Sequence, residues 1–167
     1  MGRRQIDADE LSTLYALIGK AIWHLQHVED ALHTSITIKR DIKTRAAKPA
    51  AEAQAILEQH RRNTLGKSLR MAREAAIFEN ALQERLDRFK EERDWLVHRS
   101  LHQSGDDLYE DEKRLSVMRR VELFSDEALA LQKAVATDLE THVVAQGVSK
   151  EWVESYAAEQ LKRLRGA

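Results

Sequence analysis

The sequence contains no cysteine, one proline and six glycines in 167 residues. The lack of cysteine excludes disulfides, thiolate metal ligands and cysteine nucleophiles. Because proline and glycine interrupt regular structure, their scarcity favours long helices. Lysine and arginine (27) nearly balance aspartate and glutamate (28), so no overall field draws the chain to nucleic acid or to a membrane. Any nucleic-acid contact must therefore be local.

Long apolar runs are also missing, because no stretch approaches the roughly 20 apolar residues that a membrane span needs. The first residues are polar and basic, and no apolar segment follows them, so we expect no signal peptide. These features together predict a soluble, cytoplasmic protein without a membrane partner.

What the sequence does contain is typical of a helical protein. It is 43% hydrophobic and 33% charged, and its apolar residues recur at alternating steps of three and four. We predict an all-α, antiparallel helical bundle that forms one domain over residues 1–167. Within it we expect a core over residues 7–103, an irregular connector over 104–124 and a C-terminal helical pair over 125–165.

Capping residues and breaks locate the predicted helices. Asp7 and Glu10 form a capping pair at the start of the first helix, and Thr64 is a candidate cap in front of a piece that contains Gly66. Glycine destabilises a helix interior, so Gly66 indicates a close approach or a kink. The predicted helices cover about residues 7–43, 50–62, 64–76, 79–102, 125–146 and 149 onward.

The helix predicted over 79–102 carries an out-of-place charge. Its apolar register passes through Leu86, Phe89 and Leu96, and the register position between the last two is Arg93. A guanidinium keeps its charge, so it is costly on a core face unless a partner or a solvent cleft receives it.

Two further residues of this helix, Asp94 and His98, stand four apart, so we expect their side chains to meet. A carboxylate there would orient the imidazole and favour its protonated form. Arg93 and His98 are five apart, which is about 140° around an α-helix. We therefore expect them to diverge within one helix, although they could converge across a cleft between two copies of it.

The first helix carries an out-of-place acid. One apolar register of this helix runs through Leu25 and Leu32 and has Glu29 between them. A displaced stripe through Ala21 and Val28 would instead put Glu29 on the flank of the buried face. The pattern alone leaves both placements open.

The segment 93–98, Arg-Asp-Trp-Leu-Val-His late in a long helix, resembles the signature of the HEPN family of nucleotide- and nucleic-acid-associated helical bundles. A long first helix with a mid-helix acid, here Glu29, and a Thr-Leu-Gly opening, here 64–66, occur in members linked to phage defence and toxin systems. The resemblance covers roughly residues 7–103. The family most often has asparagine after the arginine, whereas this chain has Asp94, which adds a negative charge near any RNA phosphate.

The resemblance implies a homodimer in which the two motif helices face each other and form a composite Arg/His site. Many such proteins are metal-independent endoribonucleases, in which the ribose 2′-hydroxyl attacks the adjacent phosphate and leaves a cyclic phosphate. By analogy His98 would be the general acid or base, poised by Asp94, while Arg93 would bind the phosphate and Glu29 would position Arg93. RNA would be the substrate, no cofactor is implied, and an antitoxin or a nucleotidyltransferase would be a candidate partner.

Two alternatives belong to other classes of protein. One is a non-catalytic interaction module that uses the same dimer. The other is a metal-dependent helical-bundle hydrolase, because Asp94, His98 and His102 are spaced four and four along one helix and could face histidines of the first helix.

Overall fold

The first long helix begins where its capping pair predicts. In the computed structural model, which describes residues 3–166, the Asp7 side chain accepts the backbone N–H of Glu10 at 2.8 Å, and the Glu10 side chain accepts that of Asp7 at 3.1 Å. Helix α1 (Ala8–Ile36) then continues without a break as a wider π-helical segment, Thr37–Ile42. It ends at Lys43, whose φ of 66° is left-handed.

The remaining helices follow in chain order. They are α2 (Ala50–Arg61), α3 (Leu65–Glu74), α4 (Asn80–Asp94), α5 (Ser100–Ser104), α6 (Asp111–Ala145) and α7 (Lys150–Leu164). A π-helical turn, Trp95–Arg99, joins α4 to α5, and a 3₁₀ turn, Asp106–Tyr109, precedes α6. Thr64 caps α3 as predicted. Residues 3–166 contain no strand, so the prediction of an all-α bundle is confirmed.

The core lies between α1 and α6, with α3 and α4 completing it. Contacts of α1 with α6 advance in the same direction along both helices, from Glu10 with Arg114 to Lys39 with Asp138, so these two helices are parallel. Helix α4 runs antiparallel to α6. Arg85 of α4 pairs with Glu127 of α6, whereas the later residue Glu92 of α4 pairs with the earlier residue Arg120 of α6. The main buried side chains are Ala21, Leu25, Val28, Leu32, Ile36, Leu65, Leu69, Leu86, Phe89, Trp95, Leu96, Val121, Phe124, Leu131 and Val135.

The residues that α1 buries show which of the two placements of Glu29 is correct. Ala21 and Val28 are fully buried, as in the displaced stripe, together with Leu25 and Leu32. Glu29 consequently lies on the flank of this face, where its side chain is half-buried.

The prediction of an irregular connector over residues 104–124 is wrong for most of that range. Residues 111–124 form the first part of α6, and Val121 and Phe124 belong to the core. Their register was hidden because its first position is Arg114, whose buried guanidinium donates to the backbone oxygen of Leu108 at 2.7 Å and to Glu10 at 2.9 Å. A buried arginine with several partners occupies a place where the period calls for an apolar residue.

Helix α7 begins as predicted at the cap Ser149 but buries none of its side chains within Lys150–Leu164. Trp152 and Tyr156 stack on each other with ring centroids 5.3 Å apart and stay more than half exposed. In the described part of the chain no helix is both long and apolar enough to cross a lipid bilayer.

The buried His33 makes the stability of the bundle depend on pH. Its Nε2 lies 3.0 Å from Ser68 Oγ, and burial lowers the pKa of His33 below the usual 6.5. At a pH near 6.5 the unfolded chain therefore binds more protons than the folded chain, so protonation of His33 favours unfolding. The free energy of unfolding is not reduced by His33 above the unfolded pKa, and it decreases as the pH falls through about 6.5. In urea unfolding, we expect His33→Gln to lose less stability than the wild type between pH 7.5 and 5.5.

The exposed His27 provides the control, since His27→Gln should keep the pH dependence of the wild type. If His33→Gln and the wild type lose the same free energy of unfolding over this pH range, His33 is not the group responsible.

Candidate functional site

The π-helical turn Trp95–Arg99 decides which side chains of this helix meet. Its defining hydrogen bond joins the N–H of Ser100 to the backbone oxygen of Trp95, five residues earlier rather than four. A turn of this kind holds one residue more than an α-helical turn, so residues five apart come onto one face.

Arg93 and His98 therefore come together within one chain. Arg93 Nη1 lies 3.2 Å from His98 Nε2. The prediction that they diverge within a single helix is wrong, because 140° applies only to a regular α-helix. An arginine can only donate, so Nε2 is the acceptor in this contact, which requires the tautomer of His98 that carries its proton on Nδ1.

Asp94 contacts Arg93 and Lys90 and not His98, which was its predicted partner. Its Oδ1 accepts from Arg93 Nη1 at 3.0 Å and its Oδ2 accepts from Lys90 Nζ at 2.6 Å. Within residues 3–166 no hydrogen bond joins Asp94 to His98. Burial alone would raise the pKa of Asp94, but the hydrogen bonds from Lys90 and Arg93 outweigh it and hold that pKa below its usual range. Asp94 therefore acts on the guanidinium and not on the imidazole.

Glu29 lies near Arg93 but does not seal it. The described residues show no ion pair between the two, and the positive charge of Arg93 reaches Glu29 through space. Burial raises the pKa of Glu29 above the usual 4.5, and the charge of Arg93 only partly opposes this rise. The Nε of Arg93 is buried and has no hydrogen-bond partner, so no contact of the described residues satisfies this donor.

The pair lies at the edge of an open depression. Glu91, Asp94, His98 and Arg99 line this depression, and the imidazole of His98 is exposed in it. The Arg93 side chain is 21% exposed, so it is less accessible to solvent than the exposed His98. An anion that reaches His98 would meet the guanidinium groups of Arg93 and Arg99. The carboxylates of Glu91 and Asp94 line the same depression, and Asp94 is paired with Lys90 and Arg93.

An apolar groove adjoins the same turn. It is formed by α1, the π-helical turn, α5 and α6, and residues at its rim are exposed, with Leu101 at 83% and Tyr15 at 63%. Exposed large apolar side chains of this kind mark surfaces that another molecule can cover.

The histidines proposed for the metal alternative lie apart. His24 contacts Ser125, with Nδ1 2.8 Å from Oγ, and His33 contacts Ser68. His102 is exposed on α5. Over residues 3–166, no three histidine, aspartate or glutamate side chains are placed to bind one metal ion, so the cluster of His98 and His102 with first-helix histidines does not form.

Two residues of the site were not identified from the sequence as part of it. Lys90 holds Asp94, and Gly66 makes room for Lys90, because a Cβ on Gly66 would lie 2.9 Å from Lys90 Cε. The glycine at the start of α3 did indicate a close approach, but the sequence could not show that the approaching group belongs to the site.

Comparison of the chain with protein-family models, with curated proteins and with solved structures finds no match. The function is therefore inferred from the geometry of the site.

The raised pKa of Glu29 leads to a prediction about stability. A folded state that raises the pKa of a carboxyl loses stability as the pH rises above the unfolded value, since the charged form is disfavoured by burial. We expect Glu29→Gln to raise the urea midpoint at pH 7 relative to the wild type, with the difference shrinking below about pH 4.5.

Glu84→Gln is the matched control, because Glu84 is exposed and forms no ion pair in the described chain. A loss of stability at pH 7 in Glu29→Gln, absent from Glu84→Gln, would show instead that the attraction to Arg93 outweighs burial.

Proposed function

We propose that this protein is a metal-independent endoribonuclease that works as a homodimer, of the toxin or phage-defence type that the segment 93–98 resembles. The observation that carries the proposal is the 3.2 Å contact between Arg93 Nη1 and His98 Nε2 at an exposed π-helical turn. Such turns within α-helices occur frequently at functional sites. A permanent cation beside an imidazole suits the cleavage of a phosphodiester, which needs charge stabilisation and proton transfer.

The first step that we propose is an exchange of partners at Arg93. In the free protein its guanidinium donates a hydrogen bond to Nε2 of His98. An RNA phosphate binds the guanidinium by charge-assisted hydrogen bonds and takes the place of the imidazole at Nη1. His98 Nε2 is then free to act as a base. Asp94, held by Lys90, keeps the guanidinium in place during this exchange.

The chemical step follows the route of ribonucleases that use a ribose hydroxyl. His98 Nε2 accepts the proton of the 2′-hydroxyl, whose oxygen forms a bond to phosphorus as the bond from phosphorus to the 5′-oxygen breaks. The departing 5′-oxygen takes up a proton from the protonated His98 of a second copy, which leaves a 2′,3′-cyclic phosphate and a 5′-hydroxyl. Arg93 stabilises the negative charge that builds up on the phosphorus oxygens.

A homodimer would supply a second imidazole, which the reaction needs because one imidazole cannot be both the base and the acid on opposite sides of the phosphorus. Attack and departure occur on opposite sides of the phosphorus, so the base and the acid are best provided by two histidines. We infer that the apolar groove beside the π-helical turn, with Leu101 and Tyr15 at its rim, packs against the same surface of a second copy. Two Arg93–His98 pairs would then share one cleft, which is the form of composite site that we propose.

The activity can be tested with purified protein and a mixed RNA pool in EDTA. We expect cleavage with cyclic phosphate ends, reduced at least about 100-fold in Arg93→Ala and in His98→Ala, since positioned acid–base groups contribute about 10²–10⁴-fold. His102→Ala is the control and should cleave like the wild type, because His102 lies outside the pair. Undiminished cleavage by folded Arg93→Ala and His98→Ala, or cleavage only with added metal, would contradict the proposal.

A second candidate function is a non-catalytic interaction module, which the exposed apolar groove favours independently of any chemistry. Here the same dimer would be the functional unit and would serve as a scaffold. RNA that stays intact at all protein concentrations, while the dimer persists, would favour this module.

The dimer itself has a direct test in sedimentation equilibrium. We expect Leu101→Glu to be monomeric where the wild type is dimeric, because it places a charge in the apolar contact. Leu115→Glu is the control, since Leu115 is 64% exposed on α6 and does not line the groove. A monomeric wild type at about 100 μM, roughly a hundred times a dissociation constant of about 1 μM, would contradict both dimeric functions.

A further inference from the structure

A second polar cavity, separate from the His98 site, lies where the π-helical end of α1 meets α2 and the start of α3. Its volume is about 340 Å³, and it shares no lining residue with the His98 depression. Its charged and hydrogen-bonding lining residues are Arg40, Asp41, Lys48, Gln59, His60, Asn63 and Lys67. None of these takes part in the function proposed above.

A buried histidine and a carboxylate, His60 and Asp41, form a hydrogen-bonded pair in the cavity lining. His60 is 5% exposed, and its Nε2 lies 2.7 Å from Asp41 Oδ2. Arg40 donates to the other oxygen, Asp41 Oδ1, at 2.8 Å. Because both carboxylate oxygens of Asp41 have partners, this carboxylate repels an incoming anion much less than a free one would.

The rim of the cavity is positive. Lys67 is exposed and forms no ion pair with any other residue in 3–166, so its ammonium group is available to a ligand. Lys48 contacts Glu52 at 2.5 Å and remains partly exposed, as does Arg40. The lining holds three lysine or arginine cations against one carboxylate, so its net charge is positive although Lys48 also pairs with Glu52. The cavity therefore favours a negatively charged ligand.

The helix that borders the cavity adds to this preference. Asn63 and Lys67 flank the first turn of α3, whose cap Thr64 accepts the N–H of Lys67 at 3.3 Å. The start of a helix carries a partial positive charge and favours anions. The helix start supports the cationic lining here and does not define the site by itself.

We propose that this cavity binds a phosphate group, with Lys67 and Arg40 as its main cationic contacts. A cavity of about 340 Å³ falls in the size range of small-molecule sites, so it has room for a phosphate with part of the molecule that carries it. The phosphate can belong to a free phosphorylated small molecule or to a polynucleotide backbone. The inference concerns binding alone and holds whether or not His98 is catalytic.

The test is a titration of the whole protein with pyrophosphate at constant ionic strength, followed by NMR signals of the His60 ring and the Asn63 side-chain amide. We expect both signals to move to saturation, and Lys67→Met to weaken binding at least about fivefold by removing a charge-assisted hydrogen bond. The His60 and Asn63 signals of His98→Ala should titrate as in the wild type, because the cavity shares no lining residue with the His98 depression. This result separates the cavity from the ribonuclease proposal.

Lys20→Met is the matched control. Lys20 is exposed on α1, forms no ion pair in the described residues, and lies roughly 30 Å from Arg40 along the helix. If neither NMR signal saturates, or if Lys20→Met weakens binding as much as Lys67→Met, the effect is diffuse electrostatics and the proposed site is wrong.

A second titration identifies the source of the phosphate. Its probe is a single-stranded DNA hexamer, which lacks the 2′-hydroxyl and is not cleaved by the proposed mechanism. If Lys67→Met weakens binding of both pyrophosphate and the hexamer, the cavity is part of a polynucleotide path. If only pyrophosphate binding weakens, the cavity takes a free phosphorylated molecule, and both results support a phosphate site.

Discussion

A single backbone hydrogen bond, from the N–H of Ser100 to the oxygen of Trp95, determines the character of the candidate site. In a regular helix His98 would face Asp94, and a carboxylate would hold the imidazole. The extra residue in the π-helical turn gives His98 a guanidinium as its neighbour instead. The turn is anchored because Trp95 is 2% exposed and packs beneath the Arg120 guanidinium, 3.7 Å from the ring centroid.

The charged residues of the site form a series of contacts within one helix, and a glycine of a second helix leaves room for the first of them. Gly66 in α3 leaves space for the stem of Lys90, Lys90 holds Asp94, and Asp94 holds Arg93, whose guanidinium reaches His98. The three polar contacts from Lys90 to His98 are 2.6–3.2 Å long and join partly exposed side chains, so they orient the guanidinium without burying it completely. Glu29 stands outside this series of contacts and contributes its field from α1. The arrangement favours a resting state in which an anion can displace the histidine from the arginine.

Much of the fold could be predicted from the sequence, because caps and breaks act locally. Asp7 and Thr64 begin their helices as their side chains indicate, and the displaced stripe on α1 places Glu29 on the flank. The first part of α6 could not be recognised, since the buried Arg114 interrupts an otherwise apolar register. The π-helical turn was also beyond reach, because a one-residue insertion leaves no mark in composition and depends on how Trp95 packs. The resemblance to HEPN proteins and the ribonuclease activity stay predictions.

The most direct test of this account is ¹⁵N NMR of the His98 ring at about pH 8.5, where an ordinary histidine is neutral. Because Arg93 donates to Nε2, the account predicts that Nδ1 carries the proton and that Nε2 is the acceptor. Arg93→Ala should then change the chemical shift of Nε2. A ring that carries its proton on Nε2, or an Nε2 signal that does not respond to Arg93→Ala, would contradict the contact on which the proposed site depends.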